Sequence, residues 1–407
     1  MMRASLLGDS DRDASGFASL CSRLACKSRP YTARSPASSK KSPDMQDSKP
    51  TDIPDADAND EAVTDKTFEI TTSRQFESFL GETGTALAIT TYQAGMVLLI
   101  GTNPETGKLW IFNRHLARPM GVACDRERLA VAGLTQITTF VDGHHGTASE
   151  GSDPIYVPQI AHFTGDLDVH DLVFDDAGTL IFANTLFSCL ATVSGSHSFR
   201  PIWQPPFISR LAAEDRCHLN GFAMRGGAAA FVTAVSRSNV AEGWREHRRD
   251  GGIVVDVASG EIAAKGLSMP HSPRWFDGRL WILNAGSGEV GTLDLATGAF
   301  IPVAFCPGYL RGMTFLDRFA IIGASEPREN RTFGGLDLQD RLEREGVAPR
   351  CGLFVVDTST GDVVHWLKFT GIVTELFDIA VIPGASRPQM IGFRSDEIRR
   401  VVSIEPA

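Results

Sequence analysis

Histidine and asparagine side chains recur at a nearly fixed spacing in the middle of the chain. His170, Asn220 and His271 are separated by 50 and 51 residues, and His218 precedes Asn220 by two. A rotational repeat would bring equivalent positions together on one axis, and strand alternation places His218 on the same side as Asn220. Three imidazoles and an amide oxygen suit a divalent transition metal. We predict a metal site of these four residues; the alternatives are a water-filled channel or direct contact with an organic ligand.

Charged side chains are expected beside this site. Arg311 occupies the equivalent position of a later repeat, and a guanidinium suits a carboxylate, phosphate or sulfate group. We predict that Arg311 positions an anionic substrate and that Asp171 or Asp378 is the general base, although local pairing with glutamates is an alternative role for the arginines. The loops expected at the same face carry further candidate substrate-binding residues: Tyr92, Gln93, Asn184, Arg237, Asn239, Asn284, Arg328, Asn330 and Arg331.

The histidines and Arg311 belong to a short phrase that returns six times. Its variable second residue falls at positions 120, 170, 220, 271, 311 and 377, at steps of 50, 50, 51, 40 and 66 residues. Turn signals mark two hairpins in each repeat; in one repeat they are Asp277-Gly278 and Ala296-Thr297-Gly298. Four antiparallel strands per repeat, at a period of this length, predict an all-β, six-bladed β-propeller.

The two ends of the chain are expected to close the ring. The segment from Leu87 to Asn113 supplies the second, third and fourth strands of a blade but no convincing first strand. The C-terminal stretch Phe377–Val381 can supply it, which leaves no bare strand edge. Two further apolar segments, Met390–Phe393 and Arg400–Ile404, leave a seven-bladed propeller as the alternative.

Two insertions and an N-terminal extension complete the organisation. The insertions run over residues 236–252 and 326–350, contain helix-like stretches, and are expected to rise from the face that carries the histidines. Residues 1–66 are rich first in Arg, Ser, Lys and Pro and then in acidic residues, which predicts a disordered extension. Residues 67–407 are predicted to form a single propeller domain.

Composition restricts partners and compartment. The formal net charge of -10 argues against nucleic acid as a general partner, and the sequence contains no apolar run of about 18 residues that would span a membrane. Five of the seven cysteines lie in or beside apolar strands, where buried, reduced thiols are expected: Cys124, Cys189, Cys217, Cys306 and Cys351. With no continuous apolar signal segment near the N-terminus, these features favour a cytoplasmic protein.

Several phrases resemble a family of uncharacterised bacterial proteins. They include Thr90–Gly95, Asn184–Leu190, Phe207–Gly221 and Met269–Trp275, and the resemblance implies a propeller domain with no activity attached. More broadly, Leu219-Asn220-Gly221 is similar to the phrase with which six-bladed gluconolactonase and paraoxonase-like propellers place a metal-binding Asn. The other axial positions here are His and Arg, where that group mostly has Asn, Asp and Glu. Histidine shifts metal preference from calcium toward softer ions.

The sequence thus predicts a metal-assisted hydrolase or lyase acting on a small anionic substrate. In this hypothesis the ion polarises a substrate oxygen or lowers the pKa of a bound water. Because propellers host many unrelated functions, one alternative is a non-catalytic propeller that binds a peptide, glycan or partner protein on the same face. A second is oxidation at a histidine-bound iron or copper. The oligomeric state is left open.

Overall fold

Six β-sheets follow one another along the chain, and each contains four antiparallel strands, here called a blade; two of the sheets carry a fifth strand at the outer edge. The computed structural model describes residues 67–144, 152–327 and 334–404. The predicted disordered extension, residues 1–66, lies outside the described residues. Across the described chain, none of the helices is long and apolar enough to cross a membrane.

The elements are numbered in chain order. A strand and a helix come first: β1 (Phe68–Thr72) and α1 (Phe76–Thr83). Blade 1 takes β2 (Thr85–Thr90), β3 (Met96–Thr102) and β4 (Leu109–His115). Blade 2 is β5 (Val122–Cys124), β6 (Arg128–Ala132), β7 (Gln136–Asp142) and β8 (Ile155–Phe163). Blade 3 is β9 (Val169–Phe174), β10 (Leu180–Asn184), β11 (Cys189–Thr192) and β12 (Arg200–Trp203).

The second half continues in the same way. Blade 4 is β13 (Leu219–Arg225), β14 (Ala228–Ala234), β15 (Gly252–Asp256) and β16 (Ile262–Leu267). Blade 5 is β17 (Pro270–Phe276), β18 (Arg279–Asn284), β19 (Glu289–Asp294) and β20 (Ala299–Phe305). Blade 6 is β21 (Tyr309–Leu316), β22 (Phe319–Ser325), β23 (Gly352–Asp357) and β24 (Val363–Gly371), with α2 (Asp337–Glu345) between β22 and β23. The chain then forms β25 (Ile379–Pro383) and β26 (Gln389–Met390).

The C-terminal strand β25 closes the ring. It pairs antiparallel with β2, with Ile379 opposite Ile89 and Pro383 opposite Thr85, and so becomes the inner strand of blade 1. Each inner strand contacts the inner strands of both neighbouring blades. The predicted six-bladed propeller and its closure are therefore confirmed, and the seven-bladed alternative is wrong. Of the segments behind that alternative, Met390–Phe393 contributes only Met390 to β26, which pairs with the outer strand of blade 2, and residues 401–404 form no strand.

The hydrophobic core lies between neighbouring blades. Every residue of β2 and β3 is buried, because these strands have a blade on each side, whereas the outer strand β4 has mostly half-buried residues. Strands covered on both faces read as continuous apolar runs. The cysteine prediction fits this packing: the five described thiols are free, and Cys189, Cys217, Cys306 and Cys351 are buried. Burial raises the pKa of Cys306 to about 12.

The two insertions rise as expected from one face and contact each other. The first carries a 3-10 turn at Gly243–His247 and the second carries α2. Arg249 of the first insertion donates from Nε to Asp337 Oδ1 of the second at 2.8 Å. Residues 328–333 of the second insertion lie outside the described residues.

Side chains of the inner strands join one blade to the next. Asp171 Oδ2 accepts the backbone N–H of Phe222 in the following blade at 3.1 Å, and Asp378 Oδ2 accepts that of Val122 at 3.0 Å. Ser272 Oγ accepts the N–H of Gly312 in the same way at 3.1 Å. The strands approach so closely that a Cβ at Gly221 would lie 2.7 Å from Asp171 Oδ2, which explains the glycine of the repeated phrase.

Asp171 also binds Arg274 through both oxygens, at 2.8 and 3.0 Å. We expect Asp171→Asn to lower the free energy of unfolding by roughly 2–4 kcal/mol, because Arg274 loses the carboxylate that it binds through both oxygens and the amide turns a donor toward a backbone N–H. Urea denaturation measures this. Asp362→Asn, on the exposed turn of blade 6, is the control and should change stability by less than about 0.5 kcal/mol. Equal effects of the two substitutions would contradict the role given to Asp171.

Candidate functional site

Bulges in the inner strands place the repeated side chains at one end of the ring, here called the channel mouth. The register between first and second strands shifts at His170 in blade 3 and at Asn220 in blade 4. It shifts just after His271 in blade 5 and at Arg311 in blade 6. A bulge re-aims a side chain out of the regular strand alternation. The same level of four consecutive blades therefore presents polar side chains at or next to an interruption of the strand ladder.

Left-handed residues just before the inner strands fix the orientation of two imidazoles. Asp168 (φ 53°) and Met269 (φ 48°) occupy equivalent positions two residues before His170 and His271. Their carbonyl oxygens lie 2.9 Å from His170 Nδ1 and 2.8 Å from His271 Nδ1. Non-glycine residues adopt this conformation only when their surroundings enforce it, which is common at functional sites.

These contacts determine which ring nitrogen carries the proton. A carbonyl oxygen only accepts hydrogen bonds, so Nδ1 of His170 and of His271 must donate. Thr185 supports the first ring: its hydroxyl lies 2.9 Å from His170 Nδ1 and donates to Leu219 O at 2.7 Å. In the neutral imidazoles the lone pair is therefore on Nε2. Metal-binding histidines are held in this way by a bond from their other nitrogen.

His218 is held by a carboxylate instead of a carbonyl. Its Nδ1 lies 2.9 Å from Asp215 Oδ2, and Trp244 donates from Nε1 to the same oxygen at 2.7 Å. The Trp244 ring stacks on His218 with 4.1 Å between ring centres. Although burial raises the pKa of Asp215, His218 and the hydrogen bonds lower it below its usual value. Asp215 therefore stays ionised and keeps the proton of His218 on Nδ1.

Two potential metal-ligand atoms at the channel mouth are buried and have no hydrogen-bond partner among the described residues. They are His271 Nε2 and Asn220 Oδ1. Asn220 is oriented by its other end, since Nδ2 donates to Pro270 O of the next blade at 2.8 Å. An orphaned buried acceptor is costly unless an ion, water or ligand group meets it. The donor set of the mouth therefore fits a metal ion in chemical type.

The spacing of the rings fits a metal less well. Ring centres are 4.8 Å apart for His170 and His218 and 6.3 Å apart for His170 and His271, whereas imidazoles sharing a tetrahedral zinc are about 5 Å apart. Among residues 67–144, 152–327 and 334–404, no group of three or more His, Cys, Asp or Glu side chains is placed to hold an ion as it stands. Of the three rings, His170 is the one that lies near both His218 and His271.

Arg311 lies beside the imidazoles in an aromatic surround. Its Nη1 donates to Glu375 Oε1 at 3.1 Å, and its guanidinium carbon lies 4.8 Å from the Phe377 ring centre and 5.4 Å from that of Tyr309. Nε is buried and makes no hydrogen bond within the described chain. Tyr309 also contacts His271, with 5.6 Å between ring centres. Arg311 therefore keeps a donor available although it is paired with a glutamate.

Burial keeps two of the imidazoles neutral. It lowers the pKa of His170 to about 4, partly offset by Asp168 and reinforced by His218 and Arg311. Burial, then Arg311 and His170, lower the pKa of His271 well below its usual value. A neutral imidazole is the form that binds metal or accepts a proton.

The carboxylates predicted as general base lie apart from the imidazoles, around Arg274. Both oxygens of Asp171 and of Asp378 accept backbone N–H groups. Arg274 Nη2 is 3.9 Å from Asp378 Oδ1. Burial and the neighbouring Asp171 raise the pKa of Asp378, and Arg274 partly offsets this. These contacts favour a role in joining the blades.

The loop residues predicted to bind substrate separate into four groups. Tyr92 lies at the mouth, stacked on Phe377 at 5.3 Å, and Gln93 beside it is exposed. Asn184, Asn239 and Asn284 instead hold loops: their Oδ1 atoms accept the backbone N–H groups of Phe187, Ser209 and Ser268. Arg237 is exposed on the first insertion. Arg328, Asn330 and Arg331 lie outside the described residues.

Sequence reasoning missed Asp215, Trp244 and Tyr309. Asp215 stands three residues before His218, a spacing that a turn converts into a contact. Trp244 is the one large aromatic residue of an otherwise polar insertion, which could have marked it as buried. Tyr309 begins an inner strand, at the position equivalent to His218, and this equivalence could have found it.

The comparisons with known proteins give a family and no activity. Residues 74–391 match the family described as "Domain of unknown function (DUF4915)". No curated protein matches the chain. A structure of a nidogen/laminin complex is 12% identical over 74% of this chain and 99% of that chain, with a TM-score of 0.48. A protein of unknown function from Bacteroides caccae is 9% identical over 73% and 98%, with a TM-score of 0.45. A catalytically inactive virginiamycin B lyase from Staphylococcus aureus, with quinupristin, is 12% identical over 75% and 99%, with a TM-score of 0.36.

The depressed pKa of His170 predicts how stability responds to acid in the metal-free protein. The unfolded chain takes up this proton near pH 6.5 and the folded chain near pH 4. Stability is therefore complete above the unfolded value and falls as the pH drops toward 4, by roughly 3 kcal/mol from His170 alone. His170→Asn keeps an N–H for Asp168 O and should remove most of this pH-dependent loss in the free energy of unfolding. Urea denaturation from pH 4.5 to 7.5 measures it. The exposed control His197→Asn should leave its shape unchanged, and a His170→Asn curve parallel to the parent would contradict the assignment.

Proposed function

We propose that this chain, which belongs to the DUF4915 family, binds a divalent transition-metal ion at the channel mouth and acts there as a hydrolase or lyase on a small anionic substrate. The observation that carries the proposal is the shared state of the three imidazoles. Each uses Nδ1 in a bond to a fixed oxygen, which leaves Nε2 as the basic nitrogen.

The ligands would be Nε2 of His170, His218 and His271 and Oδ1 of Asn220. Two of these four atoms are buried with no partner among the described residues, which a bound ion would remedy. A mixed nitrogen and oxygen set suits zinc, iron, copper or nickel. When bound, the ion supplies Lewis acidity to a substrate oxygen or a water.

The surrounding residues have distinct tasks. Asp215 and Trp244 hold the His218 ring, Thr185 holds His170, and Arg311 offers its unused N–H to a negatively charged substrate group. The aromatic rings of Tyr92, Phe377 and Tyr309 lie around this part of the mouth. Asp171 and Asp378 already accept backbone N–H groups. We therefore assign proton transfer to a group at the channel mouth and not to these two carboxylates.

A second candidate is metal-free acid–base catalysis by His218. The wide spacing between His170 and His271 favours it, as does the Asp215–His218 pair, in which a carboxylate stabilises a protonated imidazole. His218 would then remove a proton from a substrate held by Arg311, as in an elimination.

Metal analysis separates the two candidates. Protein purified without chelator should hold about one transition-metal ion per chain, and His170→Asn should remove most of it. Plasma mass spectrometry measures the content. His197→Asn, at an exposed histidine in the loop between β11 and β12, is the matched control and should keep the ion. Parent protein that neither contains nor takes up zinc would refute the metal proposal and leave the acid–base candidate.

Asp215→Asn gives an independent readout. If His218 binds the ion, loss of the carboxylate should weaken zinc affinity by about 10- to 100-fold, because the ring loses its orientation and part of its basicity. Competition with a chromogenic chelator gives the affinity. Asp250→Asn, an exposed carboxylate on the same insertion as Trp244, serves as the control. Unchanged affinity in Asp215→Asn would remove His218 from the ligand set.

A further inference from the structure

A cavity lies between α2 of the second insertion and the start of the inner strand of blade 6. It measures about 530 Å³, a size that accommodates a small organic ligand. Four of the residues that line it are large, apolar or aromatic, and buried: Tyr309, Leu336, Leu338 and Leu342. The inner part of the cavity is therefore suited to an apolar group.

The cavity is separate from the channel mouth. The Tyr309 ring is 1% exposed, and on its other side it contacts His271 and the Arg311 guanidinium. Arg311 is not among the described residues that line the cavity. A ligand of the cavity is therefore a different molecule from the substrate proposed for the mouth, and its binding does not depend on the proposed function.

Ion pairs hold the helix that forms one wall of the cavity. Arg341 of α2 pairs with Glu289 of β19, and its guanidinium lies 4.1 Å from the Phe305 ring centre. Asp337 at the start of α2 pairs with Arg249 of the first insertion. Both ends of the helix are thus attached to neighbouring elements, so the cavity is formed before a ligand arrives.

The exposed rim of the cavity is negative. Glu343 is exposed, and it is the one charged residue among the described residues that line the cavity. The carboxyl end of α2 lies at the same rim, because Gly346 and Val347 line the cavity and donate their N–H groups to Glu343 O and Leu342 O. The carbonyl groups at this end of a helix carry partial negative charge and favour a cation. The cavity thus combines a buried apolar wall with a negative rim.

We infer that the cavity under α2 binds an amphipathic organic cation, with its ammonium group beside Glu343 and its apolar body against Leu338 and Leu342. Burial of each methylene favours binding, so the body supplies most of the affinity. An exposed carboxylate adds little affinity. Glu343 and the helix end instead determine the sign of the charge that is accepted.

Calorimetric titration of the full chain at low ionic strength, with probes that differ in one property each, tests the inference. Octylammonium should bind at least about 100-fold more tightly than ethylammonium, which lacks most of the apolar body. It should bind about 10-fold more tightly than octanoate, which has a similar body and the opposite charge. Octanoate binding as tight as that of octylammonium overturns the cationic class, and equal binding of octylammonium and ethylammonium overturns the apolar body.

Neutralising Glu343 tests the charged part of the site. Glu343→Gln should reduce the preference for octylammonium over octanoate from about 10-fold to about twofold, because only the helix end remains negative. Binding of 1-octanol should stay unchanged, which shows that the cavity is intact. Asp340→Asn removes an exposed carboxylate of the same helix that does not line the cavity, and it should keep most of the preference. A preference that stays at 10-fold in Glu343→Gln removes Glu343 from the site.

Filling the cavity tests the location. Ala348 is exposed and lines the cavity, so Ala348→Phe should occupy part of it without disturbing the fold and weaken octylammonium binding by about 10-fold or more. Arg344→Phe places the same ring at an exposed position of α2 that does not line the cavity, and it should not weaken binding. Full octylammonium binding in Ala348→Phe overturns the proposal.

Discussion

The hydrogen bonds between β25 and β2 are the constraint on which the remaining structure depends. They join residues 379–383 to residues 85–89, so the ring closes only when nearly the whole described chain has folded. Closure holds each inner strand between two others and leaves the axial space no freedom to widen. His170, Asn220 and His271 come from three separate blades. Their relative positions are therefore set by the ring and not by local sequence.

Within that frame, local strain sets the direction of each imidazole. Asp168 and Met269 adopt left-handed backbone conformations just before their inner strands, and their carbonyls thereby meet Nδ1 of the histidine two residues later. His218 is itself in this conformation and uses Asp215 instead. Such residues cost free energy that the blades must supply. The ring and the strained turns together present Nε2 in a defined direction, which neither would do alone.

The sequence period could predict which positions of the blades are equivalent, but not what the side chain at each position contacts. The spacing of the repeated phrase predicted six blades, the closing strand and the meeting of His170, Asn220 and His271 at one end, and the structure agrees with each of these. It could not show that Asn184 and Asn284 hold turns, because a residue at a loop start serves the loop or a ligand according to local geometry. Nor could it find Trp244 or the cavity under α2, since both lie in insertions that have no counterpart in the other repeats.

Charge along the axis bears on what the mouth can bind. Asp171, Asp378 and Arg274 gather in the middle of the ring, and burial raises the pKa of Asp378 because a second uncompensated carboxylate is unfavourable there. At the mouth, Arg311 is balanced by Glu375, while His170 and His271 are neutral. Among the described side chains the mouth therefore carries no unbalanced positive charge, so Arg311 can orient a bound anion through its N–H groups more than neutralise it.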